Sequence, residues 1–499
     1  MSNTTDEKRD TRETISAVPA LQTRSTREPQ ESSMGRKARL SAYFTIAAAA
    51  FGLISDGYQN NLMTMANVVY KKLYAAEYTS SVSTRVSNAL LVGEVIGQVF
   101  VGLICDRVGR KAALVLTTLL IVIGATLATA AHGAHGSVNG LLWFVTIARG
   151  ITGVGVGGEY PASSTSASEA ANESMVKNRG PVFIMVTNFV LSFGGPLSVA
   201  VFLIVLSAAG ENHLETVWRV CFGIGILLPL TVFYFRMRML SPKLFRESAI
   251  KHRVPYWLAI KRYWRPLIGT CGAWFLYDFV TFPNGVFSGT IISSVIHDGS
   301  IKSTAEWQLL LGAIALPGVF VGAALCNPLG RRNTMILGFS GYLVFGLIIG
   351  LSYDKITKIV PLFSSCTYGL MQSSGNMGPG TCSGLSYPTA IRGTCYGLSA
   401  AIGKTGAAIG TQAFTPIENN LGKRWTFIIA AICGVAGVLV TYFFVPNLTG
   451  ADLALEDEKW LRYLAENGWD GEVGDEGGEV ALTEKVRAGN EDDSVDEKA

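Results

Sequence analysis

Apolar stretches of roughly 20 residues or more, enough to cross a bilayer, recur along this chain between short polar breaks. They lie near 40–66, 86–105, 112–131, 140–166, 181–207 and 216–235, then near 266–292, 308–326, 333–352, 359–387, 393–414 and 425–445. The pattern predicts an all-α integral membrane protein with twelve transmembrane helices, six on each side of a hydrophilic break. It divides the chain into a disordered tail (1–39), a first six-helix bundle (40–235), a basic linker (236–265), a second six-helix bundle (266–446) and an acidic tail (447–499). Within the acidic tail, Leu453 to Leu464 has the pattern of a short amphipathic helix, although acidity favours a solvated, disordered segment.

The fourth span carries the stretch RGITGVGVGGEYPASSTSASE, from Arg149 to Glu169. Gly150, Gly153 and Gly157 fall on one helical face and invite a second helix to close approach. The run ends in Glu159. A carboxylate inside an apolar segment is costly in hydrocarbon, so its first reading is functional and cavity-facing. The alternative is a carboxylate at a helix end touching water.

Charge sets the orientation. Arg107, Arg110 and Lys111 follow the second span, Lys177 and Arg179 the fourth, Arg331 and Arg332 the eighth, and Arg392 the tenth. The linker holds nine basic residues, Arg236 among them, against Glu247 alone. Opposite loops such as 132–139 are poor in Lys and Arg, so the positive-inside rule places both termini in the cytoplasm. Charged residues make up only 16% of the chain, against about 25% in soluble domains. The eight cysteines include no CxxC pair and read as small buried hydrophobes. The first 37 residues lack the basic, apolar and small-residue succession of a signal peptide. The two halves also echo one another: GLICDRVGRK after span two and CNPLGRR after span eight, with Tyr-Pro in spans four and ten. A parallel six-plus-six repeat suits a transporter whose site lies between its halves.

GLICDRVGRK (Gly102 to Lys111) resembles the loop motif of the major facilitator superfamily, and the twelve-span layout agrees with it over roughly 40–446. The resemblance implies a cytoplasmic latch formed by Asp106, Arg107, Arg110 and Glu169.

Charges inside the spans narrow the reading. Besides Glu159 they are Asp56, Glu94, Arg149, Asp278 and Lys404. Arg149 has Glu94 and Glu159 as candidate partners, and Glu94 has a structural role as its alternative. Trp274, Asp278 and Phe282 are spaced by four and share a helical face, a stripe that reads as packing or, with a carboxylate in its middle, as a pocket wall. Lys404 is a lone cation in GLSAAIGKTGAAIG, suited to attract an anion or neutralise a carboxylate. That run is not a phosphate loop, because five residues rather than four separate Gly397 from Gly403–Lys404.

Taken together, GGEYPASSTSASE, Asp56 with Tyr58, Trp274 with Asp278, and Asn376 with Lys404 resemble the phosphate and organophosphate:proton symporters. The resemblance implies anion binding by Tyr160, Trp274, Asp278, Phe282, Asn376 and Lys404, and proton coupling by Asp56, Glu159 or Asp278. Gln59, Phe282 and Leu385 each replace a polar or ionisable group of the inorganic-phosphate carriers. The resemblance is therefore greatest to the fungal glycerophosphoinositol permeases. It implies a proton-coupled importer of a small anionic glycerophosphodiester, carrying inositol or choline, at the plasma membrane and functional as a monomer. Inorganic phosphate symport is the alternative within transporters, and a non-transporting nutrient sensor the alternative outside them. Without a nucleophile–base or metal constellation, neither an enzyme nor a cofactor is expected, nor is a nucleic-acid partner.

Overall fold

The computed structural model describes residues 36–174, 178–238, 245, 248–250, 254–295, 300–359, 369–376, 387–446, 453–474 and 480–481. The first half holds α1 (Arg36–Leu73), α2 (Ser80–Arg107), α3 (Arg110–Thr129), α4 (Val138–Ser174), α5 (Arg179–Ala209) and α6 (Leu214–Arg238). The second holds α7 (Tyr256–Val295), α8 (Ile301–Cys326), α9 (Arg331–Ile359), α10 (Arg392–Leu421) and α11 (Arg424–Phe444). Most of the tenth expected span, Leu385 included, lies outside the described residues, as do Cys366 and Cys382. Residues 369–376, largely helical, belong to that span.

Helices outrun the apolar spans that announced them. The 38 residues of α1 would reach about 57 Å at 1.5 Å each, well beyond a ~30 Å hydrocarbon core. Among the described residues, eight helices are long and apolar enough to cross a membrane. Three equally long ones, α1, α7 and α10, are not among them. Each of these three carries a charge within its apolar run, Asp56, Asp278 or Lys404. Phe51, Phe100, Ile204 and Phe443 are exposed around the outside, as suits a surface facing lipid tails.

The glycine run of α4 packs against two neighbours rather than one. A Cβ on Gly153 or Gly157 would stand 2.2 Å from the Leu90 or Glu94 carbonyl oxygen of α2, whereas Gly150 has nothing nearer than 3.7 Å. Gly155 presses on Ile121 and the Thr117 carbonyl of α3, and Gly158 on the side chains of Val101 of α2 and Thr117 of α3. Close backbone approach replaces the missing hydrophobic drive between helices in lipid.

The two halves repeat at their turns. Gly109 (φ 127°) links α2 to α3 and Gly330 (φ 79°) links α8 to α9, each directly ahead of an arginine, Arg110 or Arg331. Side chains rarely adopt that backbone conformation, so the echo read in the sequence is an echo of turn geometry. Within each half the helices pack on their own: α1 against α4, α5 and α6, and α7 against α10 and α11. The halves meet where α2 crosses α10, α5 crosses α8 and α1 crosses α7.

Within the acidic tail, the described residues 453–474 and 480–481 depart from the expected solvated form. Residues Leu453–Glu466 fold into α12, followed by an antiparallel pair, β1 (Glu472–Val473) and β2 (Val480–Ala481). Trp460 and Leu464 are buried against a cluster with Ile250, Tyr263 and Tyr387. The amphipathic pattern prevails because the linker and the start of α10 supply an apolar acceptor for it.

Candidate functional site

A chamber of about 230 Å³ lies between the halves. Its lining includes Tyr160 of α4, Trp274, Asp278 and Phe282 of α7, Asn376, and Lys404 of α10. All six side chains named for substrate from the sequence therefore meet in one place. The spacing of four on α7 turns Trp274, Asp278 and Phe282 to the same side. Lys404 Nζ lies 3.5 Å from Asp278 Oδ2 and 3.6 Å from the Phe282 ring centroid. The phenyl face supports the ammonium by a cation–π contact. The Tyr160 ring centroid is 5.3 Å from the same nitrogen, while Trp274 sets its ring edge-to-face with Tyr396.

Asn376 carries two structural bonds as well. Its Nδ2 donates to Ala315 O (2.9 Å) and its Oδ1 accepts from Tyr277 Oη–H (3.0 Å). The first bond satisfies a carbonyl beside the break in α8 at Leu316–Pro317, where proline removes a helical donor.

The sequence left Glu94 between pairing and structure. It is a partner of Lys404, with Oε2 3.5 Å from Nζ, and it reaches the cation from the other half of the molecule. Lys404 is thus held between two carboxylates, each buried. No local signal could reveal this, since α2 and α10 meet only through the tertiary fold.

Glu159 is placed elsewhere. It does not line the chamber; it is buried in the first half, accepting from Arg236, Thr117 and Ser163. Arg236, which reads as a linker cation, belongs to the end of α6 and also donates to Thr118 Oγ1 (2.6 Å). Asp56 does not line the chamber either. It is fully buried, its carboxylate oxygens have no hydrogen-bond partner among the described residues, and it lies within electrostatic reach of Glu159, Arg236, Glu94 and Lys404. Arg149 forms no ion pair with Glu94 or Glu159 among the described residues; it is buried with its guanidinium 5.8 Å from the Phe222 ring centroid.

A second charged cluster closes one end of the bundle. Arg110 donates to Asp106 Oδ1 (2.7 Å) and to Glu169 Oε1 (2.8 Å), and Arg392 donates to that same Glu169 oxygen (2.9 Å). Asp106 also accepts from the backbone N–H groups of Gly393 (3.0 Å) and Thr394 (2.6 Å). It thereby caps the N-terminus of α10, where free N–H groups and the helix dipole favour an anion. Three of the four residues expected there are joined across the halves. Arg107 stands apart, exposed, over the Tyr256 ring at 5.4 Å. In the sequence Arg392 is one orienting charge among several; its second role depends on the fold.

The tail reaches this cluster. Asp457 of α12 accepts from the Thr389 N–H (2.5 Å) and Oγ1–H (2.6 Å). Burial pushes its carboxyl up to about 6, against the opposing pull of Arg392 and the Thr389 bonds.

A family model described as sugar (and other) transporter matches residues 42–249 and 245–460. Glycerophosphoinositol permease 1 of Candida albicans is 57% identical over 436 residues, covering 86% of this chain and 83% of that protein. Glycerophosphoinositol transporter 1 of Saccharomyces cerevisiae is 49% identical over 450 residues, covering 89% and 86%. Among solved structures, the major facilitator proton:xylose symporter XylE bound to 6-bromo-6-deoxy-D-glucose superposes with a TM-score of 0.71 at 17% identity. That match covers 84% of this chain and 99% of XylE, and at such identity it shows the fold alone.

Proposed function

The chain belongs to the sugar (and other) transporter family of the major facilitator superfamily, and on that premise we propose that it imports a glycerophosphodiester with protons by alternating access. It is a multi-pass membrane protein and not an enzyme. In this reading twelve helices cross the plasma membrane, both termini and the Arg110 cluster face the cytoplasm, and one chain suffices.

The observation that carries the reading is Lys404, held between Glu94 and Asp278 in a chamber shared by the halves. With both acids ionised, the three groups sum to one negative charge. A phosphodiester adds another, and two net charges in a low-dielectric chamber are costly. A proton delivered to Asp278 or Glu94 frees Lys404 for the phosphate and cancels the surplus. Substrate and proton then bind with positive coupling, which is reciprocal by linkage. Tyr160 stands beside Lys404 to orient the phosphate, with Phe282 beneath the ammonium and Trp274 and Asn376 in the same lining. Asp56 and Glu159 supply a route between the chamber and the Arg236 pair.

Size favours a diester over inorganic phosphate. The chamber, about 230 Å³, offers space for roughly eight water-sized groups at ~30 Å³ each, more than one phosphorus and four oxygens fill. The Arg110–Glu169–Arg392 network favours a moving carrier over a static sensor, because it ties the halves at one end by bonds that can break and reform.

Uptake of labelled glycerophosphoinositol, glycerophosphocholine and phosphate into vesicles bearing the full chain, with the interior alkaline, tests the proposal. Accumulation of a diester that a protonophore abolishes is expected. Accumulation of phosphate alone, or of nothing, would reject it.

A further inference from the structure

The chamber has a second chemical character away from Lys404, on the wall built by α1, α5 and α8. We infer that this wall is a polyol subsite that selects an inositol-type head group over a choline-type one; the inference rests on the transport reading above. Among its described lining residues the wall carries neither an acid nor a base, and its polar groups are amides and hydroxyls: Asn60, Asn61, Thr64, Asn188, Ser192 and Gln308.

Two of its carboxamides are acceptors in need of donors. Gln308 Oε1 is buried without a hydrogen-bond partner among the described residues. Asn60 Oδ1 is in the same condition, while its Nδ2 donates to Asp56 O at 3.1 Å. A buried oxygen left unpaired is expensive, and each hydroxyl of a polyol brings a donor to it. A trimethylammonium brings none.

The aromatic side chains of the chamber point the same way. A quaternary ammonium is recognised by open ring faces. Here Phe282 and Tyr160 serve the Lys404 ammonium, Trp274 meets Tyr396 edge-to-face, and Tyr277 stacks on Tyr342 at 6.1 Å. The carboxylate that could replace such a cage, Asp278, is engaged with Lys404.

Backbone geometry sets the wall in place. The segment Met185–Phe189 of α5 is one turn of π-helix, a widening that recurs at functional sites. It brings Asn188 into the lining, with Leu191 and Ser192 on the next turn.

The test is competition against uptake of labelled glycerophosphoinositol by the full chain in proteoliposomes. Unlabelled glycerophosphoinositol should compete roughly tenfold better than glycerophosphocholine, the ratio expected from one or two extra hydrogen bonds. Gln308→Met, which keeps the volume and removes the acceptor, should bring the two diesters within about threefold by weakening the inositol compound. Equal competition in the unaltered chain would overturn the subsite whatever the variant does. So would an active Gln308→Met chain that keeps the tenfold ratio. Failure of the transport reading looks different: neither diester is taken up at all, and the subsite falls with it.

Discussion

Glu94 of α2 and Lys404 of α10 approach to 3.5 Å across the boundary between the halves, so the cation that would hold a substrate anion is also a tie between the two bundles. Substrate and Glu94 then compete for one ammonium. Glu94→Gln should lower KM for a diester several-fold while reducing turnover, because the resting tie and one proton acceptor are lost together. Lys404→Met should raise KM by about a hundredfold or more, the scale of a lost charged hydrogen bond. Initial-rate kinetics at two pH values distinguish these outcomes from simple misfolding, which lowers the amount of active protein and leaves KM unchanged.

The glycine packing of α4 predicts an asymmetric response. Gly153→Ala and Gly157→Ala each force a Cβ to within 2.2 Å of a carbonyl oxygen of α2, while Gly150→Ala meets only ordinary contact at 3.7 Å. The first two should cost about 1–3 kcal/mol or more, and the third close to nothing. Thermal melting of the detergent-solubilised protein reads the difference.

Glu169 accepts from Arg110 and Arg392 through the same oxygen. Glu169→Gln leaves two buried guanidinium groups short of a counter-charge, at a cost on the order of 3–5 kcal/mol. The Arg110 end should open more often. Cys105 and Cys395, both buried free thiols beside the cluster, should then react faster with a membrane-impermeant thiol reagent added from that side.

Docking of α12 should depend on pH. Asp457 lies outside the membrane-spanning helices, and its carboxyl is pushed from 3.8 up to about 6 when docked. Between those values the docked helix binds more protons than the released one. Docking is therefore strongest below the lower value and weakens as pH rises toward 6, then stays level. Amide exchange of Leu453–Glu466 should be about tenfold better protected at pH 5 than at pH 7.5, after correction for intrinsic rates. Asp457→Asn should erase that difference.

The parts of the molecule legible in the sequence are those written within one helix. The spacing of Trp274, Asp278 and Phe282 announces a wall because a helix repeats near four residues, and Lys404 stands out because its surroundings are uncharged. What needed the fold is non-local. Arg236 is one orienting cation among many in a basic linker, and only the fold brings it to Glu159. Glu94 and Lys404 are more than three hundred positions apart, so nothing in either stretch predicts their meeting. The amphipathic pattern of α12 was visible, but its acceptor is assembled from Ile250, Tyr263 and Tyr387, three separate parts of the chain. Acidity alone therefore favoured the wrong state.

The central claim is that one chamber binds a phosphodiester anion and a proton together at Lys404, Glu94 and Asp278. Adding glycerophosphoinositol outside proteoliposomes that contain the full chain, with no gradient imposed, tests this directly by a pH electrode in the weakly buffered medium. The account predicts prompt alkalinisation of the medium that scales with labelled diester taken up and is absent when Glu94 and Asp278 are both replaced by their amides. Diester uptake at normal rates with no accompanying proton movement would contradict it.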